Sequence, residues 1–183
     1  SFLLDHAGKA VLPPFVDIAE MPLLPRGHAS TAFDAEGVAT RESALVEGGV
    51  LQRYVLGSYS ARKLGLQTTG NAGGVHNLTV VPGTRDGDIP PTLAAMLQRM
   101  GTGLLVTELI GQGVSIVTGD YSRGAAGFWV ENGEVAWPVQ EITIAGNLRD
   151  MFMRIQAVGA DVDPRASILT GSILIDRMTV AGE

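Results

Sequence analysis

The chain has 183 residues, which is enough for one domain or at most two small ones. Hydrophobic residues make up 45% of it, but no apolar run is long enough to cross a membrane. The net charge of −6, without any Lys/Arg cluster, argues against a nucleic-acid surface, and the lack of cysteine excludes disulfides, thiolate zinc sites and a cysteine nucleophile. Charged residues reach only 17%, so we expect a partner or further sequence to cover part of the surface.

The first residues contain neither an initiator methionine nor a signal-peptide pattern. We therefore expect residues 1–183 to be a single domain taken from a longer protein. Four of the nine prolines follow within thirteen positions: Pro13, Pro14, Pro22 and Pro25. Because proline is excluded from helix interiors, this spacing predicts an extended connector that crosses the surface of the domain.

A hairpin and a short helix are predicted next. Residues 40–46 and 50–57 flank Glu47-Gly48-Gly49, and glycine between two apolar runs is typical of a tight turn. The following segment predicts a helix with Ser58 as its N-cap and Gly65 beyond its end. Three further segments are interpreted as a loop at 70–74, a strand at 76–81, and a polar stretch at 84–91 that tolerates change or disorder.

Two longer helices are indicated by apolar residues at the spacing i, i+3, i+4, i+7. The two sets are Leu93, Met96, Leu97 and Met100, with Pro91 near the first turn, and Leu148, Met151, Phe152 and Ile155. For the second helix we predict Asn147 as the cap and Gly159 as the stop. The Met and Phe stripes are interpreted as core-facing surfaces rather than ligand sites.

The stretch from 101 to 146 contains the strongest strand signals. Apolar runs at 104–110 and 114–118 are followed by a glycine-rich loop at 119–124, and Asn132-Gly133 predicts a type I′ hairpin turn. The predicted pairs are Glu131 with Glu134, Val130 with Val135, Trp129 with Ala136, and Phe128 with Trp137. Alternation then places Phe128, Val130, Val135 and Trp137 on the core face. With closing strands at 167–175 and 177–181, we predict an α+β fold of about eight mostly antiparallel strands and three short helices.

Catalytic motifs are scarce in this sequence. The histidines, at positions 6, 28 and 76, lie far apart, and none stands in a spacing that puts two imidazoles on one helix face. A metal site is therefore not expected. His76 is interpreted as a partly buried strand residue. Ser122 is one residue out of register with G-x-S-x-G and is followed by no helix pattern, which argues against a serine nucleophile. Asp120 and Arg123 are interpreted either as an ion pair that braces the loop or as a contact for a substrate or partner.

Three long stretches of this sequence resemble the C-terminal region of the TldD/TldE (PmbA) family, and most closely its TldE/PmbA branch. They are MGTGLLVTELIGQGVSIVTGDYSRGAAGFWVENGEVAWPVQEITIAGNLRDM at 100–151, SARKLGLQTTGNAGGVHN at 60–77 and STAFDAEGVAT at 30–40. The resemblance covers nearly the whole chain. One departure is Thr170, which stands before Gly171 where relatives often have a cysteine that lies near the metal site of TldD-type subunits.

The resemblance implies a metal-free subunit domain of a cytoplasmic metallopeptidase complex that degrades or matures peptides. TldD-type subunits carry H-E-x-x-x-H upstream of this region, so zinc is expected only in a TldD-like partner, and this chain alone is expected to carry no cofactor. The expected partners are a TldD-like subunit in a heterodimer, or a second copy in a homodimer, together with unfolded peptides, but neither nucleic acid nor a membrane. The alternative is a protein-interaction module of the DNA gyrase modulator type.

The contact with a partner or peptide is expected at an exposed strand or at the glycine-rich loop. An unpaired edge strand binds extended peptides through backbone hydrogen bonds with little sequence preference. In the loop we single out Asp120, Tyr121, Ser122 and Arg123, with Tyr121 and Arg123 as anchors because Tyr and Arg are enriched at interface hot spots.

Overall fold

The fold is α+β, as the strand and helix signals predict. The structure is a computed structural model, and it describes residues 1–85 and 92–182. In that part of the chain there are twelve strands and three helices. Their order is β1 (Ile18–Glu20), β2 (Ser43–Glu47), β3 (Val50–Leu51), α1 (Ser58–Lys63), β4 (Leu78–Val80), β5 (Gly83–Thr84), α2 (Leu93–Met100), β6 (Gly103–Ile110), β7 (Asp120–Glu131), β8 (Glu134–Asn147), α3 (Leu148–Met153), β9 (Ile155–Val158), β10 (Ile168–Leu169), β11 (Ile173–Ile175) and β12 (Thr179–Ala181).

These strands form three sheets. The first has the order β10-β4-β1-β2-β3, the second β11-β9-β5, and the third β12-β8-β7-β6. Only the β10–β4 pair is parallel among the described strands, and all the others are antiparallel. The third sheet contains the three longest strands, and we call it the long sheet. Its two edges are β6 and β12.

The proline-rich segment forms no helix, as predicted, but it does not simply cross the surface, because two of its four prolines are buried and two are exposed. Pro13 and Pro22 are fully buried, and β1, which lies between them, is the middle strand of the five-stranded sheet. Val11 and Val16 pack in the main hydrophobic cluster with residues of β2, β3 and β9. Proline excludes a helix because it lacks an N–H donor, but its apolar ring buries readily where neighbouring residues carry the backbone hydrogen bonds.

One buried carboxylate joins β1 to two later segments. Glu20 is only 2% exposed, and its Oε2 accepts a hydrogen bond from Arg53 Nη2 at 2.5 Å. Its Oε1 accepts from Asn71 Nδ2 at 2.8 Å and from the backbone N–H of His76 at 2.6 Å. Arg53 also donates to Asn71 Oδ1 and to Ser43 Oγ. Both carboxylate oxygens are therefore satisfied, as a charge removed from water requires.

The two predicted hairpin turns are present. Gly48 and Gly49, with φ of 56° and 75°, connect β2 to β3. Asn132 and Gly133, with φ of 51° and 79°, connect β7 to β8, and two positive φ values are what a type I′ turn requires. The turn also docks on α2, because Gly133 N–H donates to Gly101 O and Gln98 Nε2 donates to Gly133 O.

Beyond the turn, a bulge changes the predicted register. Glu131 pairs with Glu134 and Val130 with Val135 as predicted, but Trp129 then pairs with Trp137 and Phe128 with Pro138, which leaves Ala136 as the extra residue. The predicted pairs Trp129–Ala136 and Phe128–Trp137 were therefore wrong. A one-residue slip on β8 moves the side chains beyond Ala136, such as Trp137, to the other face. Of the predicted core set only Val130 is buried, whereas Trp137 is 50% exposed and Phe128 and Val135 are also exposed.

The three predicted helices are present, and they differ from the predictions at their ends. In α1 the N-cap is Gly57 rather than Ser58, and Glu36 Oε2 from another loop accepts the Ser58 N–H, while Gly65 lies beyond the end with φ of 66° as predicted. In α2 the described cap is Thr92, and the predicted role of Pro91 lies outside the described residues. Asn147 caps α3 as predicted, by accepting from Arg149 N–H.

The chain after α3 differs from the predicted continuation of that helix. Ile155 begins β9, so Gly159 follows a strand and does not stop a helix. The segment becomes extended because β9 pairs with both β11 and β5, and its Ile155, Ala157 and Val158 are buried there.

In the polar stretch 84–91, Thr84 is a buried strand residue, and residues 86–91 lie outside the described residues. The predicted strand 167–175 is divided into β10 and β11.

The Glu20 network predicts a large stability loss from one substitution. Glu20→Ala leaves the Arg53 guanidinium without its carboxylate, and breaking one side of a buried pair typically costs about 3–5 kcal/mol. Urea unfolding followed by circular dichroism measures this loss. The exposed Glu42→Ala is the matched control and should change the free energy of unfolding by less than about 0.5 kcal/mol. Equal effects of the two substitutions would contradict the assignment.

The type I′ turn predicts that Gly133→Val destabilises the protein by ~1 kcal/mol or more, because a β-branched residue disfavours positive φ. A Cβ at Gly133 would also lie 2.6 Å from the Gln98 side chain. Gly37→Val is the matched control, since Gly37 has φ of 77° and open space around it. Thermal melts of the two variants separate backbone strain from the Gln98 contact. An unchanged melting curve for Gly133→Val would count against the turn.

Candidate functional site

The four predicted contact residues lie in a strand rather than in a loop. Asp120, Tyr121, Ser122 and Arg123 begin β7 and pair with β8 from Asn147 back to Ile144. The glycines around them allow close approach of backbones. A Cβ at Gly127 would lie 1.9 Å from Leu105 O, and one at Gly113 would lie 1.6 Å from Ser122 O. Glycine in a strand often has this role, so the glycine-rich composition did not indicate a loop here.

Asp120 is held by neutral partners. Its Oδ2 accepts from Thr118 Oγ1 at 2.6 Å, and its Oδ1 accepts from Asn147 Nδ2 at 3.2 Å. The Thr118 hydroxyl, and after it the Asn147 amide, keep the pKa of Asp120 below its usual value, which outweighs the opposing effect of burial. The predicted Asp120–Arg123 ion pair is not found in residues 1–85 and 92–182. Instead, Arg123 Nη2 donates to Leu109 O at 3.3 Å, and its Nε is buried without a described partner.

The other two predicted residues have different environments. Tyr121 is half-buried and packs against the small core of the long sheet, which consists of Ala125, Ile142 and Ile144. The Ser122 side chain is exposed, and its backbone N–H donates to Gly113 O at 2.7 Å. None of the three histidines lies in the long sheet. Ser122 therefore has no histidine of the long sheet beside it that could act as its general base.

A groove of about 770 Å³ lies along the long sheet, between α2 and the segment that joins β11 to β12. Four methionines contribute to its lining, together with aliphatic and aromatic residues: Met96, Met100, Met151, Met178, Leu93, Leu97, Leu104, Tyr121, Trp129 and Ile144. We call it the Met groove. Methionine side chains adapt to irregular apolar partners. Met96 and Met151 are buried, as predicted for core-facing stripes, but they also form the floor of this groove.

Strand β6 forms both a wall of the Met groove and a free edge of the long sheet. Among the described strands it pairs only with β7, and Thr107 is the extra residue of a bulge between Val106 and Glu108. Its second half is exposed, including Leu109 and Ile110. The second apolar run, 114–118, is not a strand as its composition suggested. It forms a bridge at Val114 and then a turn. The sequence therefore indicated β6 but gave no sign of the groove beside it.

The donor groups of the described residues do not fit a zinc site. In residues 1–85 and 92–182, no three His, Cys, Asp or Glu side chains are grouped so that they could hold a metal ion. His76 lies in the bend before β4 rather than in a strand, and its Nε2 is buried without a described partner. No helix in the described ranges is long and apolar enough to span a bilayer.

Thr170 lies in a tight crossing between β10 and β11. Its hydroxyl donates to Gly171 O at 3.1 Å. A Cβ at Gly171 would lie 2.1 Å from Gly159 O, so glycine is needed for the two backbones to approach. Asp161 holds Ser172, which follows Gly171, because Asp161 Oδ1 accepts from Ser172 N–H and Asp161 Oδ2 accepts from Ser172 Oγ. This arrangement gives Thr170 a local structural role, and its proximity to a metal in an assembly stays a prediction.

Comparison by family model, by sequence and by structure points to the same group of proteins. A family model described as the PmbA/TldA metallopeptidase C-terminal domain matches residues 1–182. A metalloprotease PmbA homolog of Haemophilus influenzae is 57% identical over 182 residues, which cover 100% of this chain and 39% of the relative. A candidate DNA gyrase modulator of Thermotoga maritima has a TM-score of 0.83 at 37% identity, over 98% of this chain and 42% of its own. TldE from Thermococcus kodakarensis has a TM-score of 0.80 at 25% identity, with coverages of 98% and 42%.

The lowered pKa of Asp120 predicts a pH-dependent stability difference. The unfolded carboxyl has a pKa of about 3.9, so the stabilisation is fully present above that value and is lost as the pH falls through the lower folded pKa. Asp120→Asn should therefore be less stable than the wild type at pH 7, and the difference should shrink below about pH 4. Urea midpoints across this range provide the measurement. Glu108→Gln, on exposed β6, controls for net charge. A difference that is independent of pH would contradict the prediction.

Proposed function

Because the chain belongs to the PmbA/TldA metallopeptidase family and matches its C-terminal domain, we propose that it is a metal-free subunit domain of a metallopeptidase complex that degrades or processes peptides. The chain spans about two fifths of the length of the relatives it matches, 39% of the first of them. The whole protein's activity therefore belongs to the proposal. In this proposal residues 1–183 are a single domain of a longer cytoplasmic protein, and zinc is held by a TldD-like partner subunit.

The observation that carries this proposal is the lack, among the described residues, of a group of side chains that could bind a zinc ion. A catalytic zinc site usually takes three protein ligands from His, Cys, Asp or Glu. The sequence has no cysteine, and its three histidines lie apart, at positions 6, 28 and 76. The described residues bring no three ligands of these types together. A peptidase built with this domain needs its metal and its activated water from residues elsewhere in the assembly.

The proposed contact with a peptide or partner combines β6 with the Met groove. The free edge of β6 presents backbone donors and acceptors to an extended segment, and this mode of binding depends little on sequence. The groove beside it offers adaptable apolar pockets for alternate side chains. Asp120, Tyr121, Ser122 and Arg123 lie on the neighbouring strand, and Tyr121 lines the groove. We propose that a TldD-like subunit or a second copy encloses this surface, without nucleic acid or a membrane.

Reconstitution tests the proposal. The complete encoded polypeptide is purified alone and with a TldD-like subunit, and the zinc content and the cleavage of an unfolded peptide are measured. We expect less than stoichiometric zinc and no cleavage for the polypeptide alone, and cleavage when the two are combined. One tight zinc ion per polypeptide alone would overturn the metal-free assignment. Binding to the subunit without any peptide turnover would favour the alternative, a protein-interaction module of the DNA gyrase modulator type, the description that the Thermotoga maritima neighbour carries.

The same assay tests the proposed edge. Leu109→Lys places a charge beside the free edge of β6, and lysine is a side chain that natural edge strands use to block pairing. Ile168→Lys on β10, an edge strand of the five-stranded sheet, is the matched control, because Leu109 and Ile168 are 42% and 50% exposed and Ile168 does not line the Met groove. We expect turnover or subunit pairing to fall for Leu109→Lys alone. Equal effects of the two substitutions would remove β6 from the proposal and leave the subunit role untouched.

A further inference from the structure

The turn between β6 and β7 displays apolar side chains to solvent. Ile116 and Val117 are 71% and 70% exposed, and Val114 beside them is also exposed. No charged residue occurs from Leu109 to Gly119. We call residues 114–119 the apolar turn. Soluble proteins seldom display neighbouring large aliphatic side chains to this extent unless the surface binds something.

Hydrogen bonds hold the apolar turn in one conformation. Gly119 N–H donates to Ser115 O at 2.8 Å, and Ser115 N–H donates to Asp120 O at 2.8 Å. From the other side, Asn147 Nδ2 donates to Thr118 O, and Leu148 N–H donates to Gly119 O at 2.7 Å. The exposed side chains are therefore carried on an ordered backbone. A surface organised before binding loses less conformational entropy when it is covered.

The first residues of the chain run directly against this turn. Phe2 N–H donates to Ile116 O at 3.0 Å, and Arg149 Nη2 donates to Phe2 O at 2.9 Å. The Phe2 ring lies 6.2 Å from that of Phe152, and Leu3 packs against the main hydrophobic cluster. These contacts place the backbone at Ser1 beside the apolar turn. Any polypeptide that precedes Ser1 leaves the domain at this point.

We propose that the polypeptide preceding Ser1 in the full-length protein folds back over the apolar turn and buries Ile116 and Val117 with apolar side chains of its own. The matched family model describes a C-terminal domain, and this chain matches only 39% of the Haemophilus influenzae relative, so the relatives have ample chain to supply such a segment. This inference rests on the proposal that residues 1–183 belong to a longer chain. It does not depend on the role of that chain in peptide cleavage.

Tethering favours this occupant over a separate molecule. Each extended residue spans roughly 3.3–3.6 Å, so a segment only a few residues upstream of Phe2 already reaches the exposed side chains. A short tether also keeps that segment at an effective concentration that a free partner in solution does not match. The apolar turn itself contains no charged residue, so apolar packing of Ile116 and Val117 supplies the attraction there.

Site-specific photocrosslinking in the full-length protein tests the proposal. A benzophenone amino acid at Val117 should crosslink within the same polypeptide to residues that precede Ser1, as mapped by mass spectrometry. The same amino acid at Tyr59, which is exposed on α1, is the control and should give no such product. Crosslinks from position 117 to a second copy, to another protein, or at the level of the control would each overturn the proposal.

A second variant tests the energetic part of the proposal. Val117→Asp should speed limited proteolysis of the connection ahead of Ser1 by about tenfold or more, because a charge in the buried contact opens it. Tyr59→Asp should leave that rate unchanged. The assay needs neither the TldD-like subunit nor peptide turnover, so its result is separate from that of the reconstitution. Equal rates for Val117→Asp and the wild type would overturn the proposal.

Discussion

The buried carboxylate of Glu20 constrains the arrangement of the five-stranded sheet and its loops. It lies at the end of the central strand β1, where Arg53, Asn71 and the backbone of His76 all donate to it. A carboxylate in this position is stable only when each oxygen has donors, so the three segments must meet there together. Asp34 plays a related part nearby, since its carboxylate accepts from the N–H groups of Glu36, Val38 and Ala72. Long loops are thereby fixed without regular secondary structure.

The long sheet is built on a different physical basis. Its own buried core is small, with Ala125, Ile142 and Ile144, and β7 pairs with β8 from Asp120–Asn147 to Glu131–Glu134. Glycines in β7 let the backbones approach, and bulges change the register twice. The consequence is a sheet with a free edge at β6, an apolar groove beside it, and exposed aliphatic side chains at the turn that follows. These three features suit a domain that works against other polypeptide surfaces.

The proposed support role draws on both the Glu20 network and the long sheet. The network around Glu20 uses its polar groups on one another, and the Met groove is lined mainly by apolar side chains. Such a site can bind and orient an extended chain, but its described residues offer neither a metal-ligand set nor an imidazole beside Ser122. Of the polar residues that the sequence singles out, Asp120 accepts hydrogen bonds from the Thr118 and Asn147 side chains, and Arg123 donates to the carbonyl of Leu109.

The sequence by itself determined the turns at Gly48-Gly49 and Asn132-Gly133 and the cap at Asn147, because φ preferences and capping depend on a few neighbouring residues. It also determined the α+β class, through its strand and helix patterns, and the family, through long stretches that resemble it. Only the tertiary structure decided that Pro13 and Pro22 are buried, that Ile155 begins a strand, that Asp120–Arg123 lie in β7, and that Trp137 is exposed. Each of these depends on partners distant in sequence. The bulge at Ala136 changes which face of the sheet Trp137 lies on, and pairing with β11 makes the segment at Ile155 a strand instead of a helix. Neither change can be read from the sequence around the residue.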